Sequence, residues 1–199
     1  MAGLYDLDEW GLQLRRQAGQ VGLNQAEPWI GITDGGNGLE NFPTKNFARD
    51  LVVILDFGHA AGYLADLAKA LTPPDEAALE QTLAGWCHTL KHHGGQGIVA
   101  ALEKLRLPPR KPAVREQYDT TINYLRSHQH RMDYPTYLAN GWFIGSGSVE
   151  SACKTVVGQR LKLAGLRWGE EGTDEMCPRR ALFKSEATPW AGFWTRSVN

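Results

Sequence analysis

The amino-acid sequence predicts an α/β fold with few parallel strands and a long helical stretch. Two observations carry this. The runs Trp29-Ile30-Gly31-Ile32-Thr33 and Leu51-Val52-Val53-Ile54-Leu55 are short, apolar and β-branched, and each ends on an aspartate, Asp34 and Asp56. Such runs are expected of parallel strands covered by helices on both faces. From His59 to Arg131 the apolar residues recur instead at helical spacing. Two strands alone make a marginal sheet in water. Either further strands escape the pattern, or the chain is the C-terminal part of a longer protein; the second is the expectation.

Taken in order, Leu4 to Val21 places Leu7, Trp10, Leu14, Ala18 and Val21 on one face of an amphipathic helix that Gly22 ends. After the two strands, a helix from His59 carries Ala60, Tyr63, Leu64, Leu67, Ala68 and Leu71 inward until Pro73-Pro74. Asp75 opens the next, with Leu79, Leu83, Trp86, Cys87 and Leu90, ending near Gly94-Gly95. Ile98 to Leu105 reads as a shorter helix and Val114 to Arg131 as a long polar one, with Tyr118, Ile122 and Leu125 inward. Met132 to Ser148 reads as a loop. A helix capped by Ser146 or Ser148 then buries Val149, Ala152, Cys153, Val156, Val157 and Leu163 until Gly165. Thr173 is expected to cap a last helix through Lys184, with Pro178 awkward inside it, and Trp190, Phe193 and Trp194 need cover.

Composition narrows the class. With 199 residues, 42% of them apolar, and a formal net charge of -1, the chain is long enough for a core and is not compositionally disordered. No apolar run approaches a membrane span, and the N-terminus lacks the order of a secretion signal. Cys87, Cys153 and Cys177 form neither a disulfide framework nor a zinc pattern, so a reducing cytoplasm is expected. The near-neutral total conceals basic stretches. Residues 103–131 hold seven Lys or Arg against three acids, and 151–168 hold Lys154, Arg160, Lys162 and Arg167 with no acid.

The candidate chemistry is that of carboxylates at strand ends. In an open α/β sheet the ligand crevice lies beyond the carboxyl ends of the strands, where Asp34 and Asp56 fall. Glu150 follows Asp56 by 94 residues and sits at a helix start. Hard oxygen ligands of this kind suit Mg2+ or Mn2+, which polarise a phosphodiester and activate the attacking oxygen. The alternative is structural: Asp-Gly after a strand makes a turn, and a first-turn Glu complements the helix dipole. Lys154, Arg160, Lys162 and Arg167 would neutralise DNA phosphates, or form a solvated helix face. His59, three residues after Asp56, allows an Asp–His hydrogen bond, a proton-transfer role or simple helix capping. His88, His92 and His93 read as a surface cluster for want of further metal ligands.

The runs Thr33-Asp34-Gly35-Gly36-Asn37-Gly38-Leu39-Glu40, Ile54-Leu55-Asp56-Phe57-Gly58-His59-Ala60, His130-Arg131-Met132-Asp133-Tyr134 and Gly145-Ser146-Gly147-Ser148-Val149-Glu150-Ser151-Ala152-Cys153-Lys154, continuing through Arg160-Leu161-Lys162 to Gly165-Leu166-Arg167-Trp168, resemble the C-terminal half of bacterial insertion-sequence transposases of the ISKra group. The resemblance covers nearly the whole chain. It implies an RNase H-like core that uses an Asp, Asp, Glu triad and two divalent ions to cut and join DNA ends. Carried over by motif, Asp34 is the second and Glu150 the third triad member, both as catalytic residues and metal ligands, with Asp56 and His59 a supporting Asp-x-x-His element.

The fold expected is therefore α/β, an incomplete RNase H-like core with a large helical insertion between the second and third acids. Residues 1–60 would be the partial catalytic core, 61–140 a mainly helical insertion, and 141–199 the C-terminal helices carrying Glu150. The first triad aspartate is not among these residues, since Asp6 and Asp8 sit in a predicted helix; the expected function is a transposase fragment inactive by itself. Mg2+ or Mn2+ would belong to the intact enzyme. Partners would be terminal inverted-repeat and target DNA and a second copy of the chain, with no membrane, in the bacterial cytoplasm near the nucleoid. A non-catalytic DNA-binding remnant and a stand-alone metal-dependent nuclease built on Asp34, Asp56 and Glu150 are the alternatives.

Overall fold

A computed structural model describes residues 6–36, 39–47, 51–72, 75–162, 164–185 and 190–192. Expectations that fall on Leu4, Asn37, Gly38, Pro73, Pro74, Leu163, Phe193 and Trp194 lie outside the described residues. The fold is mostly helical with one small parallel sheet, and the chain divides into two compact units, Pro28–Ser146 and Met1–Glu27 with Gly147–Asn199.

In the first unit β1 (Trp29–Thr33) and β2 (Leu51–Leu55) pair in parallel, from Trp29 opposite Leu51 to Thr33 opposite Leu55. Both strands occupy the residues that their apolar runs predict. Cover on both faces forms in part: neighbouring Ile54 and Leu55 of β2, which point to opposite faces, are both fully buried, whereas in β1 only Trp29 is buried and its other residues are half-buried. Between them Asn41–Phe47 forms α2, a stretch to which the sequence pattern assigned no element. Its Pro43 stands in the first turn, where a missing N–H forfeits no helical bond.

The helices α3 (Phe57–Leu71), α4 (Glu76–Glu103) and α5 (Pro112–His128) follow. Asp56 caps α3, Asp75 caps α4, and Pro112 occupies the first turn of α5. Gly94 breaks α4 in two with φ 65 and ψ -167, at the place where the sequence predicts one helix to end. A side chain there would clash, its Cβ lying 2.7 Å from the Met132 carbonyl oxygen, and a Cβ on Gly95 would lie 2.9 Å from Gln129 Cα. The Gly-Gly pair thus lets the 129–132 segment cross α4 in backbone contact, with Gly95 N–H donating to the Met132 carbonyl at 3.0 Å.

The expected loop 132–148 instead contains a short helix, α6 (Tyr134–Ala139), opened by Pro135. Its Tyr134 and Tyr137 join Leu64 and Leu67 of α3, Leu90, Ile98 and Leu102 of α4, and Ile122 and Leu125 of α5 in one core with Ile54 and Leu55. Each such side chain contributes roughly 1.5–3 kcal/mol by leaving water.

The second unit comprises α1 (Leu7–Gln20), α7 (Gly147–Cys153), a π-helical turn at Lys154–Gly158, α8 (Gln159–Leu161) and α9 (Glu170–Lys184). Asp6 caps α1, and Gly22, at φ 83, follows its end. Here the predicted buried faces fail: Leu7 is 51%, Val21 85% and Val149 61% exposed, and Ala152 and Cys153 are exposed too. The helix expected to reach Gly165 ends at Leu161. Thr173 does not cap α9; it lies inside the helix, its hydroxyl donating to the Gly169 carbonyl, and Gly169 is the cap. Pro178 is accommodated within α9. Arg180 of α9 donates to the Val156 and Thr155 carbonyls of the π turn at 2.8 and 2.7 Å. Among the described residues no helix is long and apolar enough to cross a membrane.

Candidate functional site

The parallel register places Asp34 and Asp56 one residue beyond the paired ends Thr33 and Leu55, and the Asp56 N–H donates to the Thr33 carbonyl at 2.8 Å. The two carboxylates leave adjacent strands side by side in sequence register, yet their surroundings differ completely.

Asp56 is 4% exposed. One oxygen accepts the His59 N–H at 2.9 Å, capping α3, and the other accepts the Ser146 N–H at 2.6 Å. Burial alone would raise its pKa; the Ser146 hydroxyl and the N–H groups of His59, Ser146 and Gly58 outweigh it and hold the carboxyl below its ordinary value. Of the alternatives for Asp56 and His59, capping is the one that forms, since it is the His59 backbone that bonds; its exposed ring instead leans on Tyr63, with centroids 6.2 Å apart. The Ile144 carbonyl accepts the Phe57 N–H at 2.8 Å, so the start of the Gly-Ser-Gly run is tied to the end of β2 at two points.

Asp34 is exposed. Its Oδ1 accepts the Gly36 N–H at 2.9 Å, closing an Asx turn. The turn is braced from behind. The Tyr124 hydroxyl donates to the Asp34 carbonyl at 2.9 Å, and Gly35, at φ 78, has no room for a Cβ, which would lie 2.7 Å from that hydroxyl and 3.0 Å from Leu55 Cδ1. Tyr124 stacks on Tyr63 at 3.8 Å and meets His128 edge-on at 4.6 Å. Burial, reinforced by the neighbouring Tyr63, pushes the Tyr124 phenol up to about 12.

Beneath the turn lies Arg131, only 2% exposed. Its Nη1 donates to Thr33 Oγ1 at 2.9 Å and its Nη2 to His128 Nδ1 at 2.7 Å, with Glu40 Oε2 at 3.7 Å. Its buried Nε has no hydrogen-bond partner among the described residues. Burial and the Arg131 charge lower the His128 pKa, and because a guanidinium only donates, the acceptor in their contact is His128 Nδ1. His130 Nε2 lies 2.9 Å from Glu40 Oε1, and that bond, opposed by slight burial and aided by Arg131, lowers the Glu40 pKa. Tyr134 completes the brace by donating to the Leu55 carbonyl at 3.0 Å inside the core, and burial raises its phenol far above the ordinary value.

The remaining candidates belong to the other unit. Glu150 is exposed in the first turn of α7, and Lys154, Arg160, Lys162 and Arg167 are all exposed, Arg160 standing 5.9 Å from the Trp168 ring centroid. Asp34 and Glu150, as exposed carboxylates, fit the oxygen-ligand chemistry of Mg2+ or Mn2+. Asp56, with both oxygens taken by N–H groups, does not. Among the described residues no three His, Cys, Asp or Glu side chains gather to hold a metal ion, and His88 and His92, with ring centroids 4.3 Å apart, stand as a pair. Sequence reasoning did not single out Tyr124, His128, Arg131, Glu40 or Arg180. Only the run 130–134 and the end of run 33–40 signalled two of them, Arg131 and Glu40, as motif residues without roles. Comparisons with protein-family models, with curated proteins and with solved structures return no match.

Proposed function

We propose that the chain supplies the second and third catalytic carboxylates, Asp34 and Glu150, of a metal-dependent DNA transposase of the kind its motifs resemble, acting at insertion-sequence ends and target DNA. One observation carries this reading. Residues of motif runs scattered along the sequence, Thr33, Asp34 and Glu40, Leu55 and Asp56, His130, Arg131 and Tyr134, and Ser146, meet at the carboxyl ends of the two strands. Motif residues gathered around one exposed carboxylate are what a site requires and what a merely shared composition would not produce.

The roles divide accordingly. Asp34 presents a carboxylate on a turn held by Tyr124, Gly35 and the Arg131–Thr33 bond, and Glu150 presents another at the start of α7. Mg2+ or Mn2+, when bound, would polarise the phosphodiester and activate the attacking oxygen. Asp56 and His59 support the site by capping α3 and fastening the Ser146 segment, while Lys154, Arg160, Lys162 and Arg167 neutralise DNA phosphates. On this reading the chain holds two carboxylates of three and does not complete strand transfer alone. The saturated oxygens of Asp56 weigh against the stand-alone nuclease, which needs it as a third ligand.

Mn2+-induced line broadening in the amide spectrum tests the assignment. Broadening is expected at Gly35–Gly36 and Val149–Ser151 and is lost at the first pair in Asp34→Asn. Broadening centred on Gly58–His59, or magnesium-dependent cleavage of insertion-sequence ends by the chain alone that Glu150→Gln abolishes, would overturn it.

A further inference from the structure

A second basic feature lies away from the strand ends. Between α4 and α5 the chain runs through Leu105, Leu107, Pro108 and Pro109 before α5 begins at Pro112, and this connection encloses an open cleft of about 630 Å³. Leu and Pro side chains form one wall. Arg110, Lys111 and Arg115, all exposed, line the rest, with half-buried Tyr118.

The charge balance of the cleft is one-sided. Its single lining acid, Glu103, is already engaged, with Oε1 at 2.6 Å from Arg126 Nη2. Arg110, Lys111 and Arg115 enter no ion pair among the described residues. The start of α5 adds to the same sign, because Lys111 at its N-cap makes no side-chain capping bond and the positive end of a 17-residue helix is left on the cleft wall. Three unneutralised cations around one concavity repel one another unless an anion joins them. Two guanidinium forks match the oxygens of a phosphodiester, and the apolar wall beside them suits the sugar and base that accompany it.

We infer that the 103–118 cleft is a binding site for the phosphate backbone of a nucleic-acid strand, with Arg110, Lys111 and Arg115 holding phosphate and the Leu–Pro wall with Tyr118 taking the adjoining nucleoside. It uses neither Asp34 nor Glu150, so it stands or falls separately from the catalytic reading.

Fluorescence anisotropy of a labelled 12-nucleotide single strand with the full chain tests it, with inorganic phosphate titrated separately as competitor. The variant Arg110→Gln/Lys111→Gln/Arg115→Gln is expected to lose roughly tenfold to a hundredfold in affinity and to flatten the plot of log K against log salt by about 2, near 0.7 for each phosphate left without its cation. Its thermal midpoint should match that of the parent, because the three side chains are exposed and unpaired. In the unaltered chain the oligonucleotide should protect Lys111 from acetylation, and Asp34→Asn/Glu150→Gln should retain that protection. Unchanged affinity in the triple variant, or no protection of Lys111, would overturn the site. Competition by phosphate at millimolar level with no gain in affinity from the oligonucleotide would overturn its assignment to a strand.

Discussion

Asp34 and Asp56 end neighbouring parallel strands in matching register, and the sequence around each reads alike, an apolar run closed by an aspartate. One carboxylate is exposed on a turn supported only through its backbone and one oxygen; the other is buried and receives N–H groups from two directions. The difference comes from what arrives from elsewhere in the chain. Ser146, 90 residues away, occupies the second oxygen of Asp56, whereas the groups reaching Asp34 from as far off stop at its carbonyl. A strand-end aspartate is therefore a ligand or a cap according to whether a distant backbone covers it.

The largest effect should separate the two directly. Asp56→Ala removes the cap of α3 and leaves the half-buried Ser146 N–H without its acceptor, a loss of roughly 3 kcal/mol from a cap and a charged hydrogen bond. Asp34→Ala exposes nothing buried and should cost less than about 0.5 kcal/mol. In thermal unfolding followed by circular dichroism, the first should lower Tm by roughly 6–12 °C and the second by hardly any. Equal midpoints would erase the distinction.

Gly35→Ala should come next. It places a Cβ at φ 78 against the Tyr124 hydroxyl, and left-handed strain with that clash should cost roughly 1–3 kcal/mol. Gly141→Ala, also at positive φ but with open space around it, isolates the strain from the clash. If the two variants unfold at the same denaturant midpoint, the turn at Asp34 is not braced as described.

Acid should reveal the same contrast. Asp56 and Glu40 have folded-state pKa values below their ordinary ones, so their contribution is present above pH roughly 4 and lost as pH falls through the lower folded values. His128 is likewise lowered, which for a base means that stability is full above about pH 6.5 and declines as pH drops towards the folded value. Stability measured by urea unfolding should therefore fall in two stages on acidification. Asp56→Asn should flatten the lower stage and His128→Gln the upper.

Much of this was legible in advance, unevenly. β1, β2, the Asp75 cap and the break at Gly94-Gly95 follow from local patterns, because a strand run, a capping aspartate and a positive-φ glycine each act within a few residues. The small helices α2 and α6 were not legible, each being shorter than two full helical periods and carrying a proline that reads as a stop. The faces of Leu7, Val21 and Val149 were misread for another reason: periodicity states which side of a helix is apolar, not whether anything covers it. Asp34 and Glu150 could be named from their motifs, but the inequality of Asp34 and Asp56 could not, since Ser146, Tyr124 and Arg131 make it from 90 or more residues away.

The smallest expected effect concerns the brace. Tyr124 touches the site through one hydrogen bond to the Asp34 carbonyl, and its ring is held by the stack on Tyr63 and by His128. Tyr124→Phe keeps the stack and deletes the bond, so stability should fall by only about 1 kcal/mol. The carbonyl it leaves borders solvent-exposed Asp34 and can turn to water, which limits the penalty. The turn itself should loosen, with faster amide exchange at Gly36, whose N–H bonds to the Asp34 carboxylate, and unchanged exchange at His59 on the neighbouring cap. The phenol should also betray its position in the unaltered chain, ionising only near pH 12, with that late absorbance change missing in the variant. Faster exchange at His59 and Gly36 alike would mean that the two strand ends share one support, and the contrast between a braced ligand and a buried cap would fail.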